Sequence, residues 1–201
     1  MDDTTLGPDM KGAALYTIRL GLKELFQIPE IERHLEFEHV EDTPKRFAAA
    51  LRELLSGCWQ DPKEILSKSF NEAKYSELII VRDIDFVSLC SHHLLPFIGK
   101  VHFGYIPEKR IVGLSKIARL VEALSRRPQI QEKLSMEIVE TFQEVVKPRG
   151  CGVVVSASHM CMSIRGVKKP GAMTDTVALQ GIFLTEPSVK QEFLQQLRSA
   201  H

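Results

Sequence analysis

The sequence lacks the features that would mark a nucleic-acid-binding, membrane or secreted protein. Its 26 Lys and Arg residues balance 26 Asp and Glu residues, so it has no overall positive charge that would attract nucleic acid or anionic membranes. No apolar run approaches the roughly 18 residues that a membrane span requires. Residues 1–5 are acidic and lack the basic and then apolar pattern of a signal peptide. We therefore expect a soluble, cytoplasmic protein without nucleic-acid or membrane partners.

Cysteine is also scarce, and its pattern excludes a disulfide scaffold. The 201 residues contain four cysteines without close, regular spacing, whereas disulfide-stabilised folds are short and dense in cysteine. The sequence contains no internal repeat and no low-complexity segment. A chain of this length can bury a sizeable core in one domain. Because the chain has no net charge, a site that binds an anion requires positively charged groups gathered close to it.

Residues 1–75 have the pattern of a helical region. Apolar residues recur at helical spacing between Ala13 and Phe26. Thr43 and Pro44 predict a helix start, with threonine as the N-cap and proline at the first helical position. That helix is expected to end near Gly57, and a short helix is expected around residues 62–66. We interpret this region as scaffold and subunit contacts.

Residues 76–201 have a mixed pattern of strands and helices. Strands are predicted over residues 77–86, 100–106, 151–156 and 177–184. A helix is predicted from Gly113, a longer one from Pro128 to Pro148, and a last one after Pro187. The order is strand, strand, helix, helix, strand, strand. The fold class is therefore α+β, with an N-terminal helical region at 1–75 and a catalytic domain at 76–201.

Such a domain is expected to associate with copies of itself. A four-stranded antiparallel sheet with two helices on one face has two unpaired edges and an uncovered face. Joining the sheets of several copies closes the edges, so we expect a ring-like homo-oligomer.

Two short segments combine histidine with cysteine in a pattern that suits a metal. Cys90 and His93 are three residues apart, which allows one turn of chain to hold an ion. His159 and Cys161 are two apart, so on an extended strand both side chains would point to the same face. Thiolate and imidazole suit zinc, and the three ligands Cys90, His93 and Cys161 would leave a fourth tetrahedral position open, as in catalytic zinc sites. The alternative is a set of core cysteines with an incidental histidine pair.

Basic and polar residues near these segments suit a nucleotide. Ser115 at a helix start, with Lys116 and Arg119 in the first turns, would offer backbone N–H groups and cations to a phosphate. An exposed helix with ordinary basic residues is the alternative. Other polar candidates are Gln129, Gln131, Glu132 and Arg165. A glutamate near a zinc ion and several cations would fit a ligand with a hydrogen-bond donor edge and phosphates, such as a purine nucleotide.

Four of these segments together resemble the signature of the GTP cyclohydrolase I family. They are residues 90–97 (CSHHLLPF), 113–119 (GLSKIAR), 126–132 (RRPQIQE) and 159–166 (HMCMSIRG). The resemblance covers about residues 40–200 and implies the tunnelling fold, in which five subunits join their sheets into a barrel and two barrels stack as a decamer. It also implies a zinc-dependent conversion of GTP to 7,8-dihydroneopterin triphosphate with release of formate.

The resemblance implies a role for each residue that matches the motifs. Cys90, His93 and Cys161 would bind zinc, and His92 and His159 would transfer protons. Glu132, with Gln131 nearby, would hold the guanine edge. The ribose triphosphate would be bound by Ser115, Lys116, Arg119, Arg165 and Arg46.

Two positions depart from the family pattern. Ser91 stands where relatives commonly have Glu, and Ala49 stands where some bacterial relatives have Lys.

Two other functions compete with this reading. A non-enzymatic zinc module that binds RNA or a protein would need His92 or His159 as a fourth ligand, and the balanced charge disfavours it. Another tunnelling-fold pterin or deazapurine enzyme, such as a pyruvoyl-tetrahydropterin synthase, would use three histidine ligands, whereas this chain pairs histidine with cysteine.

Overall fold

The computed structural model describes residues 10–67, 69–70 and 75–198. In these residues the helices are α1 (Met10–Phe26), α2 (Pro29–Glu32), α3 (Phe37–Leu54), α4 (Pro62–Ser67), α5 (Leu114–Ser125), α6 (Gln131–Val146), α7 (Met160–Ser163), α8 (Ile182–Thr185) and α9 (Pro187–Arg198). The strands are β1 (Ser69–Phe70), β2 (Ile79–Cys90), β3 (Pro96–Ile106), β4 (Ile111–Val112), β5 (Pro128–Gln129), β6 (Gly150–His159) and β7 (Thr174–Gly181). Within the described ranges, every helix is too short or too polar to span a lipid bilayer.

The chain divides into two compact units, Met1–Leu55 and Ser56–His201. In the first unit α1 packs against α3, and Lys23 donates to Glu41 over 2.9 Å. The predicted boundary of the catalytic domain, between residues 75 and 76, adjoins residues 71–74, which lie outside the described residues. The extent of that domain therefore stays a prediction.

The helix that Thr43 and Pro44 were expected to begin starts earlier in the chain. It is α3, which begins at Phe37 after a capping box between Glu36 and His39. Pro44 lies inside the helix, where its missing N–H removes one backbone hydrogen bond. Reciprocal capping at Glu36 therefore sets the helix start, and the prediction from the Thr-Pro pair is wrong.

The second unit contains the mixed sheet, with strands in the order β5-β2-β3-β6-β7. The β2–β3, β3–β6 and β6–β7 pairs are antiparallel, and α5 and α6 lie between β3 and β6 in sequence. The predicted α+β class and the strand, strand, helix, helix, strand, strand order are confirmed.

The fifth strand, β5, was not expected. Pro128 was predicted to begin the second helix, but Pro128 and Gln129 pair in parallel with Leu89 and Cys90. The Ser91 N–H also donates to the Gln129 carbonyl over 2.9 Å. These hydrogen bonds hold the segment extended, so α6 begins only at Gln131. The same pairing places the start of α6 beside the end of β2.

The two faces of the sheet are covered differently. Phe103, Tyr105 and Phe142 are buried in the main core with residues of α5 and α6, with ring centroids of Phe103 and Phe142 4.7 Å apart. Because side chains alternate along a strand, Gly104 faces the other way. Gly104 pairs with Gly152 of β6, and the Phe193 ring of α9 packs against both glycines. The helix α9 thus covers part of the sheet face that was predicted to be uncovered.

Candidate metal centre and active site

The first part of the site is a tight turn at the end of β2. The Cys90 carbonyl accepts hydrogen bonds from the N–H groups of His93 (3.2 Å) and Leu94 (2.7 Å), and the Cys90 N–H donates to the Leu95 carbonyl over 2.9 Å. Leu94 has a φ of 52°, a left-handed conformation that costs a non-glycine residue about 1–2 kcal/mol. The turn bends the chain so sharply that His93 comes back towards Cys90.

The second part is a change from strand to helix after His159. Residues 159 and 161 were predicted to share one face of a strand, but β6 ends at His159 and α7 begins at Met160. The Ser163 hydroxyl donates to the His159 carbonyl over 2.9 Å, and the Ile164 N–H donates to the Met160 carbonyl over 3.1 Å. These hydrogen bonds favour a helical turn, so the prediction of a continuous strand is wrong. Cys161 lies in that turn instead.

The two parts meet to form a cluster of three ligand groups. One ligand atom each from Cys90, His93 and Cys161 lies within 4.8 Å of the others, and the Cys90 sulfur is 3.9 Å from His93 Nδ1. Tetrahedral zinc with ordinary bond lengths would place its sulfur and nitrogen ligands about 3.6 Å apart. The residues therefore fit a zinc ion with little adjustment. The structure thus brings the three predicted residues together as a group that could hold a metal ion.

The electrostatics of the cluster favour a cation. Burial raises the pKa of the Cys161 thiol, the neighbouring Cys90 raises it further, and Arg165 opposes the shift. Two thiolates held together repel each other, and a metal ion between them removes that repulsion and deprotonates both. Cys90 is itself buried, so a bound ion would be partly shielded from water.

His159 is held firmly beside the cluster. Its ring stacks on Phe97, with centroids 4.7 Å apart and planes 3° from parallel. Its Nε2 atom is 2.8 Å from the Gln131 side-chain oxygen. Burial lowers the pKa of His159, and the nearby Glu132 carboxylate partly opposes that effect. The ring is therefore favoured in its neutral form.

His92 is the more exposed of the two proposed proton-transfer residues. It lies in the turn after β2, and its Nδ1 atom is 3.7 Å from the Cys90 sulfur. Its ring centroid is 6.2 Å from that of His93. The structure thus brings both predicted histidines next to the ligand cluster.

Gln131 has a different environment from the one expected for a guanine contact. It is 1% exposed, and its amide nitrogen lies 2.9 Å from the Val155 carbonyl and 2.8 Å from the Thr174 carbonyl. Sequence reasoning missed Thr174 and Thr176, which surround this amide, because they belong to β7. Their positions depend on the register of β6 with β7, and nothing in the local sequence reveals that register.

The predicted phosphate-binding residues lie in three places. Ser115, Lys116 and Arg119 occupy the first two turns of α5, and Arg165 follows α7. Within the described ranges, Lys116, Arg119 and Arg165 form no ion pair with an acidic side chain, so their charges remain available to an anion. Arg46 belongs to α3 in the other compact unit, where Nη2 is 3.5 Å from Asp42 Oδ2.

Comparison with known proteins identifies the family of this chain. Residues 22–198 match the model of the family described as GTP cyclohydrolase I. The chain belongs to the GTP cyclohydrolase I family. It is similar to the GTP cyclohydrolase 1 of Gloeobacter violaceus, with 51% identity over 77% of this chain and 72% of that relative. The GTP cyclohydrolase 1 of Chlorobium chlorochromatii is 43% identical over 98% of this chain and 84% of that relative.

A solved structure, an archaeosine synthase QueF-Like in the apo form, is similar over 54% of this chain and 97% of that chain, with a TM-score of 0.46 and 19% sequence identity. Membership of the GTP cyclohydrolase I family rests on the family model and on the two relatives, which span most of the chain.

Proposed function

We propose that the cluster of Cys90, His93 and Cys161 is the metal centre at which this chain converts GTP to 7,8-dihydroneopterin triphosphate and formate. The activity is that of a GTP cyclohydrolase I, which family membership and relatives with 43–51% identity support. The assignment of this activity to the cluster rests on the convergence of the three ligand atoms within 4.8 Å. The reaction opens the five-membered ring of guanine at C8, loses C8 as formate and closes a pterin ring.

Zinc is the metal that fits these ligands best. Two thiolates and one imidazole form a soft to borderline set that favours zinc over magnesium or calcium. When bound, zinc supplies a Lewis acid that lowers the pKa of a coordinated water towards about 7. With only three protein ligands, the cluster leaves room for such chemistry, as a catalytic rather than a structural site requires.

His159 and His92 are proposed to move the protons that the reaction requires. Water added at C8 must lose a proton, and the ring nitrogen must gain one as its bond to C8 breaks. A histidine is suited to both tasks because its ordinary pKa lies near neutrality. Both rings lie beside the ligand cluster, and the stacking of His159 on Phe97 fixes the plane of its ring.

Glu132 is proposed to recognise guanine. Its carboxylate can accept hydrogen bonds from both the N1–H and the 2-amino group, a donor pair that adenine lacks. Glu132 lies in the first turn of α6, close enough to His159 to affect its pKa. The side-chain amide of Gln131, the neighbour expected to assist, donates hydrogen bonds to two backbone carbonyls of the protein. We therefore assign the guanine edge to Glu132.

The triphosphate is proposed to bind the cations on two elements. The N-terminus of α5, next to Ser115, offers free backbone N–H groups and the positive end of the helix dipole. Lys116, Arg119 and Arg165 would add positive charge, since within the described ranges they form no ion pairs with acidic side chains. Arg46 is the remaining candidate, on α3.

Incubating the full chain with zinc and GTP is expected to release formate and a product that becomes a fluorescent pterin after oxidation. ATP should be converted at least about 10⁴-fold less efficiently, because adenine lacks the N1–H and 2-amino donors that Glu132 is proposed to pair. Formate is measured by a coupled dehydrogenase, and the pterin by chromatography. Absence of formate from a zinc-loaded, folded protein would contradict the proposal.

We further propose that the chain assembles into a ring of five subunits, two of which stack as a decamer. Within the described ranges, β7 pairs on one side only, and β2 pairs with β5 at just two residues. These edges are available to neighbouring copies. Light scattering is expected to give a mass about ten times the 22.7 kDa of one chain. A stable monomer that converts GTP would refute the ring.

A further inference from the structure

We propose that Gln131 is a positioning residue that holds the imidazole ring of His159 in one tautomer, with the hydrogen on Nε2 and the free lone pair on Nδ1. The proposal deepens the proposed function, because it rests on the assignment of His159 as a proton-transfer residue. It also gives Gln131 a role other than contact with guanine.

The orientation of the Gln131 amide is determined by its surroundings. One of its terminal atoms lies 2.9 Å from the Val155 carbonyl oxygen and 2.8 Å from the Thr174 carbonyl oxygen. Only an NH₂ group can donate to two carbonyls at once. The flipped amide would place its oxygen against two other oxygens in a buried place, where such repulsion is costly. The NH₂ group therefore faces the carbonyls, and Oε1 faces His159.

A pair of hydroxyl groups reinforces the same orientation. The Ser135 hydroxyl donates to the Gln131 backbone carbonyl over 2.9 Å, so its single proton is used there. Its 2.7 Å contact with the Thr176 hydroxyl must then take its proton from Thr176. Thr176 is thus only an acceptor towards the Gln131 amide, 3.3 Å away. Three oxygen atoms thus surround the amide nitrogen, and the two that are backbone carbonyls would not tolerate the amide oxygen in its place.

The orientation of Gln131 decides which nitrogen of His159 bears the proton. Oε1 can only accept a hydrogen bond, and it lies 2.8 Å from His159 Nε2. In a neutral imidazole one nitrogen donates and the other accepts, so Nε2 must be the donor and Nδ1 the acceptor. Stacking on Phe97 prevents the ring from tilting out of this hydrogen bond. Nδ1 is therefore the ring nitrogen that keeps its lone pair.

The same hydrogen bonds leave Gln131 without a free donor or acceptor for the substrate. Both amide hydrogens are used on backbone carbonyls, its oxygen is used on His159, and the residue is 1% exposed. A guanine contact would require Gln131 to give up at least one of these buried hydrogen bonds, at a cost of about 1–3 kcal/mol. Glu132, the next residue along α6, is exposed and is not held by buried hydrogen bonds of this kind.

Nitrogen-15 NMR of the zinc-loaded wild-type assembly tests the tautomer directly. Histidine labelled in the ring is incorporated, and spectra are recorded by magic-angle spinning about two pH units above the ordinary histidine pKa of about 6.5. The His159 signals are those missing from a His159→Gln sample. We expect the protonated nitrogen to correlate with Cδ2, which identifies Nε2. A protonated nitrogen that correlates with Cγ would identify Nδ1 and overturn the proposal.

A pair of matched substitutions tests the consequence for turnover. Gln131→Met keeps the length of the side chain and removes its hydrogen bonds, and we expect kcat to fall about 10–100-fold, as when a group that orients a functional histidine is lost. The control is Gln143→Met, also on α6, where the amide donates to the Pro148 carbonyl over 3.0 Å. It should leave kcat unchanged. In the Gln131→Met protein, NMR should show a mixture of both His159 tautomers.

A double-mutant cycle distinguishes action through His159 from contact with guanine. Adding Gln131→Met to a His159→Ala protein should change kcat and GTP affinity by less than about threefold, because the partner is already gone. The proposal would be refuted if the fold-losses in kcat of the two single variants multiplied in the double variant, or if Gln131→Met weakened GTP binding. Either result would show that Gln131 contacts the substrate. If the wild-type protein released no formate from GTP, the proposed function would fail, but the NMR result would still decide the tautomer.

Discussion

Cys161→Ser protein is expected to bind no zinc and to lose nearly all turnover of GTP while keeping its fold. Cys161 is one of three residues whose ligand atoms lie within 4.8 Å of one another, and a serine hydroxyl is a far weaker zinc ligand than a thiolate. Loss of the Lewis acid should reduce kcat by at least about 10³-fold. The hydrogen bonds of β6 do not depend on the thiolate, so circular dichroism and assembly size should match the wild type. Metal is measured by mass spectrometry of the dialysed protein.

The matched control is the same substitution at Cys58, an exposed thiol that is not part of the ligand cluster. Cys58→Ser should retain zinc and wild-type activity. Cys151 can be compared with the clustered thiols as a buried thiol outside the cluster. Burial raises the pKa of the Cys151 thiol to about 12 and keeps it protonated. Full activity in a metal-depleted Cys161→Ser protein would exclude Cys161 as a metal ligand.

His159→Ala protein is expected to keep its zinc and its affinity for GTP but to turn over about 10²–10⁴-fold more slowly, the usual contribution of a positioned acid or base. The ring lies between Phe97 and Gln131 and is not one of the three clustered ligands. Removing it therefore takes away a proton carrier and leaves the metal ligands in place. Zinc content, GTP binding by calorimetry and formate release are measured on the same preparation.

His34→Ala is the control, because His34 is an exposed residue of the other compact unit. It should behave as wild type in all three measurements. Loss of zinc from His159→Ala would instead make His159 a fourth ligand and the site a structural one. A variant that keeps zinc and full turnover would exclude both roles.

The cluster of Cys90, His93 and Cys161 could be predicted because each half of the set is local in sequence. Cys90 and His93 lie in one turn, and the hydrogen bonds that form the turn involve only residues 90–95. The predicted path of the chain at the second half was wrong, since Cys161 lies in a helical turn and not on a strand. Cys161 still lies in the cluster with Cys90 and His93, because its position depends on the end of β6 more than on the conformation that follows.

The surroundings of His159 could not be predicted in the same way. Phe97 faces His159 because β3 and β6 pair in a particular register, and Thr176 reaches Gln131 because β6 and β7 do. Register is a property of the whole sheet and its core, not of the local residues. The start of α6 was misplaced for a related reason, since Pro128 and Gln129 are held extended by hydrogen bonds to a strand about 40 residues earlier.

The paired glycines of β3 and β6 have a consequence for how the sequences of relatives can diverge. A methyl group added at Gly104 would lie 2.7 Å from the Phe193 ring, and one at Gly152 would lie 3.1 Å from the same ring. Gly104 can therefore acquire a side chain only if the residue at 193 becomes smaller, whereas a methyl group at Gly152 would also lie 2.8 Å from Leu179 and 2.9 Å from Phe183. Sites 104 and 193 are expected to change together, so that a relative with alanine at 104 has leucine or a smaller residue in place of Phe193, while Gly152 is expected to stay glycine.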